Sequence, residues 1–196
     1  MLNRIEVPDL ALTLDDARLQ VRLTADEHEY DADLTALLYD VQSMAESELR
    51  CGLTDTRYRE TFSGFPASTW YLNRGRVRSI AYIQYIDTTG AQQTLADYIF
   101  TESCGLAIIS PSIGSDKCRT KFPGVTARPD AVIVEYVSGF GNPADVPDSV
   151  KRWMKLQVGN WFANRDAASE VSSKHALVTN PFLDSLIAEY RVRSYI

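Results

Sequence analysis

The stretch Val146–Arg165 constrains the fold more than any other. Its apolar residues Val150, Trp153, Met154, Val158, Trp161 and Phe162 recur at three- and four-residue steps, which puts them on one face of an α-helix. Pro147 suits the first turn, where a missing N–H removes no helical hydrogen bond. Two of the chain's three tryptophans lie on this face, so the helix must be covered. Gly159 is a poor helix residue, costing about 1 kcal/mol relative to alanine; it predicts the close approach of another helix. Just upstream, Ala131-Val-Ile-Val-Glu-Tyr-Val137 is the strongest strand signal in the chain. A buried strand running into a core-facing helix requires a mixed α and β domain.

Other elements follow from the N-terminus onward. Thr13 is a natural N-cap, and Asp16 completes an approximate capping box for a short helix over about residues 13–23. The acidic run Asp26-Glu-His-Glu-Tyr-Asp-Ala-Asp33 reads as a solvated connection, because it lacks the ligand spacing and central glycine of a calcium loop. A longer helix is expected over about 32–51, with Leu34, Leu37, Leu38, Val41, Met44, Ala45 and Leu49 on its stripe. Gly52 stands where a left-handed C-cap is wanted. The texture then turns to β over about 56–137. Tyr58–Phe62 alternates, Arg78–Asp87 is a long β-branched and aromatic strand, and Asp87–Gly90 closes a hairpin. Tyr98–Thr101 and Leu106–Ile109 are further short strands. The stretch 102–130 is the least regular, with Lys117, Arg119 and Lys121 as a candidate protruding basic loop. Residues 166–179 are small and polar and read as a flexible connection. Asn180 and Pro181 then cap a last helix, about 181–191, whose stripe is Phe182, Leu183, Leu186, Ile187 and Tyr190. The expected fold class is α+β: a small bundle of about four helices with an inserted antiparallel β-hairpin or small sheet, in a single domain over residues 1–196.

Charge and chemistry narrow the function. Residues 1–60 carry 6 basic and 14 acidic side chains, a net of −8, whereas residues 147–196 carry 7 and 5, a net of +2. A net charge of −6 gives no reason to expect tight binding to phosphate backbones, which needs clustered lysine and arginine. The three cysteines, Cys51, Cys104 and Cys118, include no Cys-x-x-Cys, and His28 and His175 lie far apart, so no zinc spacing is present. There is no Gly-x-Ser-x-Gly and no His-Glu-x-x-His. Gly139-Phe-Gly141 lacks the lysine of a phosphate loop, and Asp87-Thr-Thr-Gly90 carries one threonine too many for an aspartic-protease motif. No catalytic, cofactor-binding or metal-binding residue is therefore expected, and no enzyme. The N-terminus lacks the apolar run of a signal peptide. No segment has the ~20 apolar residues that cross a bilayer, so no membrane partner is expected.

Taken in order, several phrases resemble the head–tail connector (adaptor) family of long-tailed double-stranded-DNA bacteriophages. They are the helix phrase Leu12–Leu23, then Leu34, Leu37 and Leu38, then Leu72–Tyr85 with the turn Asp87–Gly90 and Tyr98. Val134–Phe140, Val146–Lys151, the helix end Trp161–Arg165, and Asn180, Pro181, Phe182, Leu186, Ile187, Tyr190 and Arg191 complete the series, which covers about residues 10–192. Arg18 stands where lysine is usual in the family, and the 102–130 stretch is longer than in a minimal member. The resemblance implies a structural subunit of a ring of about twelve copies beneath the portal protein. That ring links the DNA-filled head to the tail and recruits the next connector or tail-completion protein, with DNA passing only through its lumen. It also implies a place in the virion neck, assembled in the host cytoplasm. Phe182, Leu183, Leu186, Ile187, Tyr190 and Arg191 are the candidate assembly interface; folding of this helix back on its own subunit is the open alternative. The alternative functions are another phage neck or tail-completion protein and, third, a small hydrolase.

Overall fold

The computed structural model describes residues 1–24, 26–67, 69–103, 105–112, 121–163 and 181–192, with backbone alone for 181–184. Lys117, Arg119 and the connection 166–179 therefore lie outside the described residues. The chain divides into two compact units. Among the described residues, Met1–Pro8, Arg50–Phe140 and Val192 form a unit of strands. Asp9–Leu49 and Gly141–Arg191 form a unit of helices.

In the strand unit the elements are β1 (Leu2–Arg4), β2 (Thr56–Phe62), β3 (Trp70–Tyr71), β4 (Val77–Ile86), β5 (Gln92–Thr94), β6 (Tyr98–Ser103), β7 (Leu106–Pro111) and β8 (Val132–Ser138). They make two antiparallel sheets, one of order β1-β2-β8-β4-β5 and one of order β3-β7-β6. The strongest strand of the sequence, β8, sits at the centre of the larger sheet. Its Val132, Val134 and Tyr136 are buried with Tyr58, Val77 and Ile83 of the same sheet and with Trp70, Leu72, Ala107 and Ile109 from the β3 and β7 region. The strict alternation of β2 puts Thr56, Tyr58 and Glu60 inward and Arg57 and Arg59 outward, as a period of two demands. Mixed α+β architecture is as expected. The β part, however, is far more than a hairpin or small sheet. Trp70–Leu72 and the hairpin return at Gln92–Leu95 are expected from the sequence as short strands, and β3 and β5 stand there; what periodicity does not register is β1 and the long-range pairing that joins the strands into two sheets.

In the helical unit, α1 (Leu14–Val21), α2 (Asp31–Leu49), α3 (Asp148–Ala163) and α4 (Pro181–Ala188) follow the expected order, with a 3-10 turn at Pro143–Asp145 before α3. Thr13 and Asp16 form the full reciprocal capping box. Helix α3 packs against α1, α2 and α4. Val150, Trp153, Met154 and Val158 are buried, as their spacing requires, while Trp161 and Phe162 are half-buried. Phe162 meets Tyr30 edge-on at 5.8 Å. A Cβ at Gly159 would stand 3.1 Å from the Gln20 amide nitrogen of α1, which is the close helix approach the glycine predicted. The stripe of α2 departs from expectation at Met44, which is 37% exposed. Gln42 and Glu46 are buried instead. Gln42 earns its place by hydrogen bonding: its Oε1 accepts from the Ala11 N–H at 2.8 Å and its Nε2 donates to the Asp9 carbonyl at 3.0 Å. Buried amides satisfied in this way cost little.

The β4–β5 turn is tied by one carboxylate. Asp87 Oδ1 accepts from the Thr89 hydroxyl (2.5 Å), the Thr89 N–H (2.8 Å) and the Ala91 N–H (3.0 Å), and Oδ2 accepts from the Gln93 amide (3.1 Å). The Thr89 hydroxyl and the Gln93 amide, with these N–H groups, pull its carboxyl down to about 2. A folded pKa below the unfolded one gives stability that is present above the unfolded value and is lost as the pH falls through the folded value. Wild type should therefore exceed Asp87→Ala in urea midpoint at about pH 5, with the gap closing as the pH falls towards about 2. A gap that stays constant over this range would assign the effect to something other than the carboxylate.

Candidate functional site

Two buried carboxylates of the strand unit are the groups a catalytic reading would examine, and both are structural. Glu135 of β8 lies opposite Arg59 of β2 and Tyr82 of β4 in register. Its Oε2 accepts from Arg59 Nη2 at 2.9 Å and from the Tyr82 hydroxyl at 2.7 Å. Burial opposes its charge, but the Tyr82 and Arg59 donors outweigh it and hold the carboxyl below its usual range. Glu60 faces the other way, is fully buried and accepts from the Asn73 N–H at 3.3 Å. Burial pushes its carboxyl up, with the Asn73 N–H pulling in the opposite direction. Both acids sit in the sheet ladder with their acceptor oxygens engaged by the protein itself. Among the described residues no group of three or more His, Cys, Asp or Glu is placed to hold a metal ion, and no helix is long and apolar enough to cross a membrane. Cys51 is a buried thiol.

The helical unit carries the surfaces of interest. At the start of α2 the acidic run is organised by Arg18. Its guanidinium forks onto Asp31 (Nε at 3.0 Å, Nη2 at 2.5 Å), reaches Asp15 at 3.2 Å and meets His28 Nδ1 at 2.7 Å. Arg18 holds the Asp31 carboxyl below its usual range. A lysine has no planar fork for this two-point contact, so the arginine here is matched to this turn. Asp26, Glu29 and Asp33 remain exposed beside it. On α3, Lys151, Arg152 and Lys155 line a cleft of about 480 Å³ with Gln20, Asp148 and Leu156. Lys155 is bound to Asp16 at 2.8 Å. Sequence reasoning read α3 for its apolar face alone; the spacing Lys-Arg-x-x-Lys on the opposite face was the signal for this cleft.

The expected interface at the C-terminus is divided by the structure. Phe182 and Leu183 lie on α4, with side chains outside the described residues. Leu186 and Tyr190 are half-buried. Ile187 is buried within the helical unit, at 1% exposure. Arg191 is exposed and clasps Glu48, with Nη2 to Oε2 at 2.8 Å and Nε to the backbone carbonyl at 3.2 Å. In the strand unit, Val192 is buried close to Gly75, where an added Cβ would stand 2.6 Å from a Val192 methyl. Of the basic loop, Lys121 is exposed.

No protein-family model matches the chain, and no curated protein sequence does. Solved structures do match it along its whole length. A chain in the neck of an empty GTA particle, computed with C6 symmetry, has a TM-score of 0.77 at 17% identity, covering 100% of this chain and 97% of that one. A chain in the virion of the native gene transfer agent (GTA) particle gives 0.76 at 18% identity, with the same coverage of 100% and 97%. A chain in the neck of the native GTA particle, computed with C12 symmetry, gives 0.75 at 16%, again over 100% and 97%. At these identities the likeness is one of fold, and the chain has the fold of a chain found in those particles.

Proposed function

We propose that this chain is a structural, non-enzymatic subunit of a virion neck: a head–tail connector (adaptor) that forms a ring below the portal protein and joins the DNA-filled head to the tail. The observation that carries this reading is the fold match over the full chain to neck structures computed with C6 and C12 symmetry. A closed ring is what repeated copies of one heterologous contact produce. The ordered sequence phrases point the same way, from Leu12–Leu23 to Arg191. In this reading the ring has about twelve subunits, DNA passes through its lumen, and the next connector or tail-completion protein binds its far side. Leu186, Tyr190 and Arg191, with Phe182 and Leu183, are the candidates for contact with a neighbour. Ile187, being buried, anchors the helix. We place the protein in the virion neck after assembly in the host cytoplasm, and read its two units as one domain.

The test is to mix the purified chain with the portal protein of the same particle and examine the product by native mass spectrometry and negative-stain microscopy. A ring seated on the portal is expected. A chain that stays monomeric at high concentration and ignores the portal overturns the reading. The second reading is another neck or tail-completion protein, favoured by the same fold match because "neck" covers more than one ring. Binding to an adaptor ring but not to the portal would select it.

A further inference from the structure

The helical unit carries two surfaces of opposite sign. The first is the α3 cleft, lined by Lys151, Arg152 and Lys155 with Asp148 as its one acid. Lys155 is engaged by Asp16, and Lys151 reaches the Ala144 carbonyl only at 3.4 Å. Arg152 is exposed and has no ion-pair partner among the described residues. The second surface is the start of α2. There Asp31 is held by Arg18, and Glu27 turns back to accept from the Thr24 N–H at 2.7 Å. Asp26, Glu29 and Asp33 are exposed and are engaged by no ion pair among the described residues.

Unpaired cations at one place and unpaired carboxylates at another complement a second copy of the chain, either reciprocally across a two-fold or head to tail, and the ring reading above selects head to tail. A two-fold contact through either patch alone would oppose like charges. A head-to-tail contact with closing rotation generates a ring, and complementary charge fixes its register. We propose that the Lys151/Arg152/Lys155 cleft of one copy receives the Asp26–Asp33 segment of the next copy. This rests on the ring reading above. The other anion that fits a cationic cleft is a nucleic-acid phosphate, but three cations on a chain of net charge −6 supply little of the clustered charge that such binding needs.

The experiment uses two full-length charge reversals, Lys151→Glu/Arg152→Glu and Glu29→Lys/Asp33→Lys, each checked for folding by circular dichroism. Assembly is followed by native mass spectrometry and negative-stain microscopy, with and without the portal protein. Each variant alone should associate at least about tenfold more weakly than wild type. An equimolar mixture should recover rings, because each interface then again pairs opposite charges. If a reversal fails to fold, Lys151→Gln/Arg152→Gln replaces it, and weakened association that depends less on salt than that of wild type is expected. Rings from either reversal alone, or folded variants that do not complement each other, overturn this contact while leaving the ring reading in place. Duplex DNA bound by wild type and lost in Lys151→Glu/Arg152→Glu also overturns it, in favour of phosphate. Wild type that never forms rings overturns both.

Discussion

Replacing Gly52 with alanine should cost about 3 kcal/mol or more, whereas replacing Arg50 with glycine should change stability by less than about 1 kcal/mol. The sequence places a left-handed C-cap at Gly52. The structure puts the positive φ two residues earlier, at Arg50 (φ 57), and uses Gly52 for something else. A Cβ on Gly52 would lie 2.3 Å from the Ser138 carbonyl oxygen and 2.9 Å from that of Thr54. Both are backbone atoms, and Ser138 has no freedom to retreat. It pairs with Thr56 on one side and Val77 on the other. Its hydroxyl also accepts from the Gly52 N–H at 3.2 Å and donates to the Gly75 carbonyl at 2.6 Å. Relief of the clash must therefore shift the central strand of the larger sheet. Urea denaturation of the two variants checks the pair of expectations. A neutral Gly52→Ala would remove the close approach from the account, and a costly Arg50→Gly would show that the Arg50 side chain, and not its left-handed backbone, matters at that position.

Gly52 also illustrates where sequence reading stops. A glycine after a helix is consistent with a cap and with a close backbone approach, and only the position of a strand 86 residues away decides between them. Local signals were legible: the Thr13 box, the stripe of α3 and the core strand β8 all depend on neighbours in sequence. Features set by distant partners were not. Gln42 is buried because Asp9 and Ala11 fold onto it, and nothing in the α2 pattern distinguishes it from an exposed glutamine. The C-terminal stripe was legible as a stripe, yet periodicity reports that a face is covered and not by which chain covers it; Ile187 is covered by its own subunit. The α3 cleft was hidden for the converse reason. Polar residues opposite an apolar face look the same whether they meet water or a partner.

The largest core effect is expected at Trp70, where alanine should cost about 4 kcal/mol. Its strand, β3, is two residues long and pairs with β7 at Ile108 and Ile109 alone. So short a ladder does not hold a strand in place; the side chain does. The Trp70 indole meets Phe62 edge-on at 4.8 Å, Phe65 at 5.6 Å and Phe122 at 6.3 Å between ring centres. Phe65 in turn stacks on Phe122 at 4.9 Å and 11° and meets Tyr85 at 5.6 Å. Edge-to-face and stacked pairs of this kind add to the area they bury. Phe65 and Phe122 come from stretches with no strand of their own, and the indole, which meets both rings, ties them to the strands together with Tyr85 of β4. Trp70→Phe should keep most of the stability, because a smaller ring still fills part of the cage. Trp161→Ala, on the half-buried edge of α3, should cost clearly less than Trp70→Ala. Urea midpoints, together with near-ultraviolet circular dichroism as the report on the ring cage, give the order. A Trp70→Ala variant as stable as Trp161→Ala would mean that the loops carrying Phe65 and Phe122 are held by something other than the cage.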